Sequence, residues 1–169
     1  MKCKKVLLMG NPNVGKSTVF NELTGMHQHT GNWIGKTVDS AAGKFYYKYN
    51  NYKLIDLPGT YSLLPSSKEE KVAGDYLLKE KYDCVVVVID STMLQRNLML
   101  FYQIFEITNK IVVMLNLCDE AKKRNIEIDR NILQNLLGVP VIKATARSGK
   151  GINELLEQIH LISTNSEDY

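Results

Sequence analysis

Short apolar runs recur along this chain, separated by stretches in which apolar residues fall three and four positions apart. The runs Val6 to Met9, Tyr52 to Leu57, Cys84 to Ile89, Ile111 to Leu115 and Val139 to Lys143 are rich in β-branched residues and bounded by turn formers. Nearly continuous apolar character is what a parallel strand buried on both faces requires. Between them, Lys16 to Thr24, Ser67 to Lys79, Leu94 to Thr108, Asp129 to Leu137 and Ile152 to Ile162 have the periodicity of amphipathic helices. The alternation predicts an α/β fold, a sheet with helices on both faces. Thr37 to Tyr49 interrupts the rhythm as a further strand, joined to Tyr52 to Leu57 by the turn residues Asn50 and Asn51, which predicts an antiparallel hairpin at one edge. The expected sheet is therefore mixed, mostly parallel and six-stranded. Residues 1–162 form one domain on this reading, and the polar segment Ser163 to Tyr169 is an unstructured tail or linker stump.

Composition narrows the function classes. The 169 residues are 44% hydrophobic and 23% charged, enough apolar mass for a sizeable core. A net charge of +3, from 21 basic and 18 acidic residues, is too balanced for a nucleic-acid footprint, so no nucleic-acid partner is expected. Cys3, Cys84 and Cys118 have neither zinc-site spacing nor an even count, which suits a reducing compartment. The longest apolar run is far below the ~20 residues of a membrane span, and the expected setting is cytosolic.

Chemistry enters at GNPNVGKST, Gly10 to Thr18, between the first strand and the first helix. Gly10, Gly15, Lys16 and Ser17 fill the pattern GxxxxGK[ST], and ligands of such sheets sit outside the carboxyl ends of the strands. Glycines let the backbone amides of Asn11, Pro12, Asn13, Val14 and their neighbours turn around phosphates, apart from the amide that proline lacks. Lys16 reaches the β and γ phosphates, and the Ser17 hydroxyl ligates magnesium. This predicts a P-loop nucleotide-binding protein, without deciding between ATP and GTP.

Two further stretches decide the base. Asn116-Leu117-Cys118-Asp119 follows a strand, and the NxxD spacing lets the Asp119 carboxylate accept hydrogen bonds from guanine N1 and N2, which adenine cannot both donate. Asn116 would brace the base pocket and the P-loop. Thr145-Ala146-Arg147 follows the next strand and places the Ala146 amide to meet guanine O6. Leu117 stands where many GTPases have a lysine over the base, so stacking there would be apolar. Asp56-Leu57-Pro58-Gly59 completes a GTPase set: Asp56 can hold magnesium through water and the Gly59 amide can bond the γ phosphate, releasing the loop once that phosphate is gone. The expected fold is the Ras-like P-loop GTPase fold.

Hydrolysis needs more. Thr37 in GNWIGKTV is the candidate second protein ligand of magnesium, with Thr30 as competitor. Thr60 follows DLPG where many GTPases carry a glutamine that orients the attacking water, and no arginine lies in Gly25 to Lys36 or Pro58 to Ser67. Lys36 could substitute, but it reads first as a solvated surface lysine. Intrinsic hydrolysis is expected to be slow, with Lys16, Thr37 and Gly59 carrying it. A binding-only guanine-nucleotide module and a ribosome-assembly or RNA-maturation GTPase remain alternatives.

These motifs, together with DLPGTYSL, DYLL at Asp75 to Leu78, IDSTMLQRNL at Ile89 to Leu98 and LNLCDEA at Leu115 to Ala121, resemble the cytosolic G domain of FeoB, the bacterial and archaeal ferrous-iron transport family. The resemblance implies a GTPase domain at the cytoplasmic face of a membrane permease, followed by a helical domain, with a homo-oligomer left open. It implies potassium activation, with Asn13, Gly31 and Trp33 as ligands. Trp33 is equally a hydrophobic anchor for its loop. Ile34 and Lys36 depart from the proline and valine usual in the family. His27 and His29 lack the further ligands an iron site needs.

Overall fold

The computed structural model describes residues 3–25 and 41–165. In chain order the elements are β1 (Lys4–Gly10), α1 (Lys16–Thr24), β2 (Ala41–Tyr47), β3 (Asn50–Asp56), α2 (Lys68–Lys79), β4 (Cys84–Asp90), α3 (Leu94–Phe105), β5 (Ile111–Asn116), α4 (Cys118–Lys123), α5 (Arg130–Leu137), β6 (Val141–Lys143) and α6 (Ile152–Asn165). The six strands form one sheet in the order β2-β3-β1-β4-β5-β6, parallel throughout except for the β2–β3 hairpin. The expected mixed sheet is thus present, with helices on both faces.

The apolar runs are continuous because the sheet is covered twice. Alternate residues of a strand point to opposite faces. On one face α1 and α6 cover Val6, Leu8, Val86, Val88, Val112 and Met114. On the other, α2, α3 and α5 cover Leu7, Met9, Val85, Val87, Ile111 and Val113. All six residues of β5 are buried, so no polar alternation could survive there.

Several boundaries depart from expectation. The hairpin turn is Lys48-Tyr49, both left-handed (φ 44° and 65°), while Asn50 and Asn51 already belong to β3. A two-residue loop with both φ positive matches the twist of the flanking strands, and Asn50 supports it from outside by donating to the Lys48 carbonyl at 2.9 Å. Helix α3 stops at Phe105, because the Ile107 amide tightens onto the Ile104 carbonyl at 2.9 Å and turns the chain toward β5. Strand β6 begins after Pro140, which has no N–H to contribute to a ladder. The tail expected from Ser163 is also corrected. Helix α6 runs to Asn165, and Ser163 is fully buried, with its carbonyl accepting from the Lys4 ammonium at 2.8 Å.

Candidate functional site

The carboxyl ends of β1, β3 and β5 converge on the start of α1. Helix α2 is closed at its N-terminus by a capping box between Ser67 and Glu70, and α5 by the Asp129 side chain. Helix α1 has no side-chain cap. Its first amides therefore face the hollow formed by Asn11, Pro12, Asn13, Gly15, Lys16, Ser17 and Gly59, the arrangement that suits an anion. Gly15 supplies φ 90°, and a Cβ there would collide with the Asn116 amide. At Gly10 a Cβ would lie 2.7 Å from the Val88 carbonyl oxygen. The two glycines are thus required by close approach of neighbouring strands as well as by the turn.

Lys16 does not extend into that hollow. Its ammonium donates to Asp56 Oδ1 and to the Leu57 carbonyl, each at 2.8 Å, with the two charged side chains 11% and 7% exposed. The phosphate-reaching cation and the magnesium-holding carboxylate of the sequence reading are joined directly. Beside them the Thr60 amide donates to the Gly10 carbonyl at 3.2 Å, and Gly59 packs against Pro12, so the DLPG loop rests on the P-loop. The donor set of the exposed Ser17 hydroxyl and the Asp56 carboxylate is hard oxygen only, which fits magnesium.

On the far side of the P-loop, Asn116 ends β5 and is 2% exposed. Its Nδ2 donates to the Val14 carbonyl at 3.0 Å, and its Oδ1 accepts from the Ala146 amide at 2.9 Å. One side chain thus ties the P-loop to the loop after β6, as the motif reading expects. The Ala146 amide, expected to meet guanine O6, here donates to Asn116 Oδ1, since a buried N–H takes the nearest acceptor. Asp119 lies in the first turn of α4. Its Oδ2 accepts from Arg147, and its Oδ1 is buried without a partner among the described residues. Burial pushes the Asp119 carboxyl up, but the hydrogen bond from Arg147 and the backbone amides of Glu120 and Asp119 outweigh it and hold the group below its ordinary value.

A hollow at an uncapped helix and, tied to it through Asn116, the loop that carries Ala146 are what the motifs lead one to expect of a nucleotide site. Residues 4–159 match the sequence profile of the family described as Ferrous iron transport protein B. This chain belongs to that family. It is 45% identical over 152 residues to the Fe(2+) transporter FeoB of Staphylococcus aureus strain MSSA476, covering 90% of this chain and 23% of that protein. The chain therefore spans about a quarter of the length of such FeoB relatives. Among solved structures, the G domain of the T. maritima FeoB iron transporter is 46% identical with a TM-score of 0.89, covering 96% of this chain and 99% of that one. The T. maritima FeoB cytosolic domain in its GMPPNP form is 47% identical with a TM-score of 0.89, covering 94% of this chain and 63% of that one.

Within this FeoB-type domain, the structure brings Gly10 to Thr18, Asp56 to Gly59, Asn116, Leu117, Asp119, Thr145 and Ala146 to one end of the sheet. Thr30, Gly31, Trp33 and Thr37 lie outside the described residues, as do His27, His29 and Lys36. The sequence reading missed α4, whose six residues are too few for periodicity to show. It also missed Ser91, whose hydroxyl donates to the Asn116 carbonyl at 2.6 Å and holds the end of β5 from behind. Its only trace was position, directly after the apolar run Cys84 to Ile89 and Asp90.

Proposed function

We propose that this chain is a guanine-nucleotide switch that binds GTP and hydrolyses it slowly, and that it serves as the cytosolic regulatory domain of a ferrous-iron transporter. The observation that supports it best is the bridge made by Asn116, which ties the P-loop at Val14 to the loop after β6 at Ala146. A mononucleotide needs just that pairing. Arriving phosphates meet the α1 amides and draw Lys16 from Asp56, while Asp119 reads the base and Leu117 offers an apolar edge.

Magnesium, when bound, supplies the charge that neutralises the β and γ phosphates. Ser17, Asp56 and Thr37 are its proposed protein ligands, and Asn13, Gly31 and Trp33 those of a potassium ion. Asn13 suits that role in being exposed, left-handed (φ 63°) and on the rim of the phosphate hollow. Thr60 is 3% exposed and its hydroxyl is buried, which supports slow hydrolysis because that hydroxyl does not face an attacking water from solvent. The transporter reading rests on the family and on the relatives' greater length. It places a helical domain and a permease further along the full protein and this domain at the cytoplasmic face of the membrane.

The base assignment is tested by Asp119→Asn, which faces the ring with an amide in place of a carboxylate. GDP binding is expected to weaken at least ~100-fold and xanthosine diphosphate binding to strengthen. A variant that still prefers GDP refutes the role of Asp119. Single-turnover phosphate release from GTP separates a hydrolase from a binding-only module.

A further inference from the structure

Arg147 is placed on the carboxylate that is to read the base. It rises from the single turn Ala146–Ser148 after β6, and its Nη2 donates to Asp119 Oδ2 and, at 3.3 Å, to Glu120 Oε1. The chemistry of the contact is specific. Guanine presents to a carboxylate one carbon bearing two N–H donors, the N1–C2–N2 edge, and a guanidinium is the same fragment with the same fork of donors. Arg147 therefore presents Asp119 with a donor of the same kind from within the chain, engaged on Oδ2 alone, while Oδ1 has no partner among the described residues. The neighbouring Ala146 amide is likewise engaged internally, on Asn116 Oδ1.

We propose that Arg147 is a built-in competitor of guanine for Asp119, a positioning residue that lowers affinity for guanine nucleotides and speeds their release. The inference rests on the guanine-site reading above. Three features fit a competitor rather than a fixed support. The Arg147 side chain is 62% exposed, so little packing holds it in place. Glu120 provides a second seat beside the first, to which the guanidinium retires when the base arrives. Asp119 stays ionised at neutral pH, so whichever donor leaves, the carboxylate draws the other. As a base begins to depart, Arg147 recaptures Oδ2 and prevents rebinding, which makes release an exchange of donors in place of the exposure of a bare, partly buried charge.

The test uses the whole chain and a fluorescent GDP. Exposed arginine–carboxylate pairs are weak, so Arg147→Ala should tighten GDP and slow its dissociation by about two- to fivefold. Arg147→Lys, which keeps the charge but loses the fork, should fall between that variant and the unmodified protein. In an Asp119→Asn background, read with fluorescent xanthosine diphosphate, Arg147→Ala should change nothing, because the neutral amide no longer attracts the guanidinium. Faster GDP release from Arg147→Ala would mean that the arginine supports the bound base, and an unchanged rate would mean that the pair is incidental. Either result overturns the proposal, as does an equal effect in the Asp119→Asn background, which would place the action of Arg147 on the phosphates. If the unmodified chain fails to prefer GDP over ADP, the guanine-site reading itself falls and takes this inference with it; the other outcomes leave that reading intact.

Discussion

On the proposed reading the Lys16–Asp56 pair is what a magnesium nucleotide would open, and its energetics can be worked from the geometry. Two unit charges 2.8 Å apart attract by about 6 kcal/mol at an effective dielectric of ~20. Taking each ion out of water costs several kcal/mol, so the pair as a whole is close to neutral for stability, while either charge left alone is not. The two partners should not respond alike. Asp56 closes β3 and cannot leave its place, so Lys16→Met removes the ammonium from a carboxylate that is only 7% exposed and should cost about 3 kcal/mol. Lys16 is a flexible side chain beside an open hollow, so after Asp56→Leu it can swing toward water, and the loss should be about 1–2 kcal/mol. The double replacement Lys16→Met with Asp56→Leu should return to within about 1 kcal/mol of the unmodified protein or exceed it, because an ion pair has become an apolar contact. Urea unfolding of all four proteins, without nucleotide or magnesium, gives the coupling energy directly. Losses that simply add in the double variant would show that the two charges do not stabilise each other, and the reasoning would fail. A Lys16→Met cost below about 1 kcal/mol would show that Asp56 is held by solvent or by partners other than Lys16.

Three other outcomes are expected. GTP hydrolysis should rise on the order of tenfold when potassium replaces sodium, and Asn13→Ala should remove that difference while nucleotide binding persists; equal rates in the two salts reject the cation role of Asn13. Thr60→Val replaces a buried hydroxyl that has no partner among the described residues, so stability should be unchanged or higher by about 1 kcal/mol and hydrolysis unchanged. A marked fall in rate would instead make that hydroxyl part of the water-orienting machinery. Tyr52, fully buried with its hydroxyl 3.0 Å from His160 Nδ1, has its phenol pushed up to about 12 by burial and by Cys84, Asp83 and Tyr47. The unfolded phenol titrates near its ordinary 10.0, so its contribution is complete below that pH and is lost as pH rises toward about 12. Melting temperature should therefore fall less steeply over that window in Tyr52→Phe, and parallel curves would count against the assignment.

Much of this molecule was legible in the chain because local patterns reported global burial. Cys84 to Ile89 is apolar at every position since β4 is covered on both faces, and Lys16–Thr24 begins and ends where its periodicity does because glycines flank it. The motif residues were legible for a related reason: a P-loop and an NxxD stretch each place their chemistry within a few consecutive residues, and the α/β alternation already puts both at one end of the sheet. Where a boundary depended on a distant partner, the pattern was silent. Nothing near Ser163 announces that Lys4, 159 residues away, will bond its carbonyl in the last turn of α6. Asn50 and Asn51 are better turn formers than Lys48 and Tyr49, yet the pairing of Tyr47 with Asn50 sets the register and forces the left-handed strain onto the poorer residues.

The sequence by itself determined the family and which groups are the candidates for phosphate, metal and base chemistry, because those depend on residue type and short spacing. What only the tertiary structure decided is which of these groups hold one another. Lys16 meets Asp56 across 40 residues, Asn116 meets Val14 across 102, and Arg147 meets Asp119 across 28. Each contact forms because parallel crossovers return distant strand ends to one edge of the sheet. There a buried or half-buried charge takes the nearest complementary donor, whatever its distance along the chain.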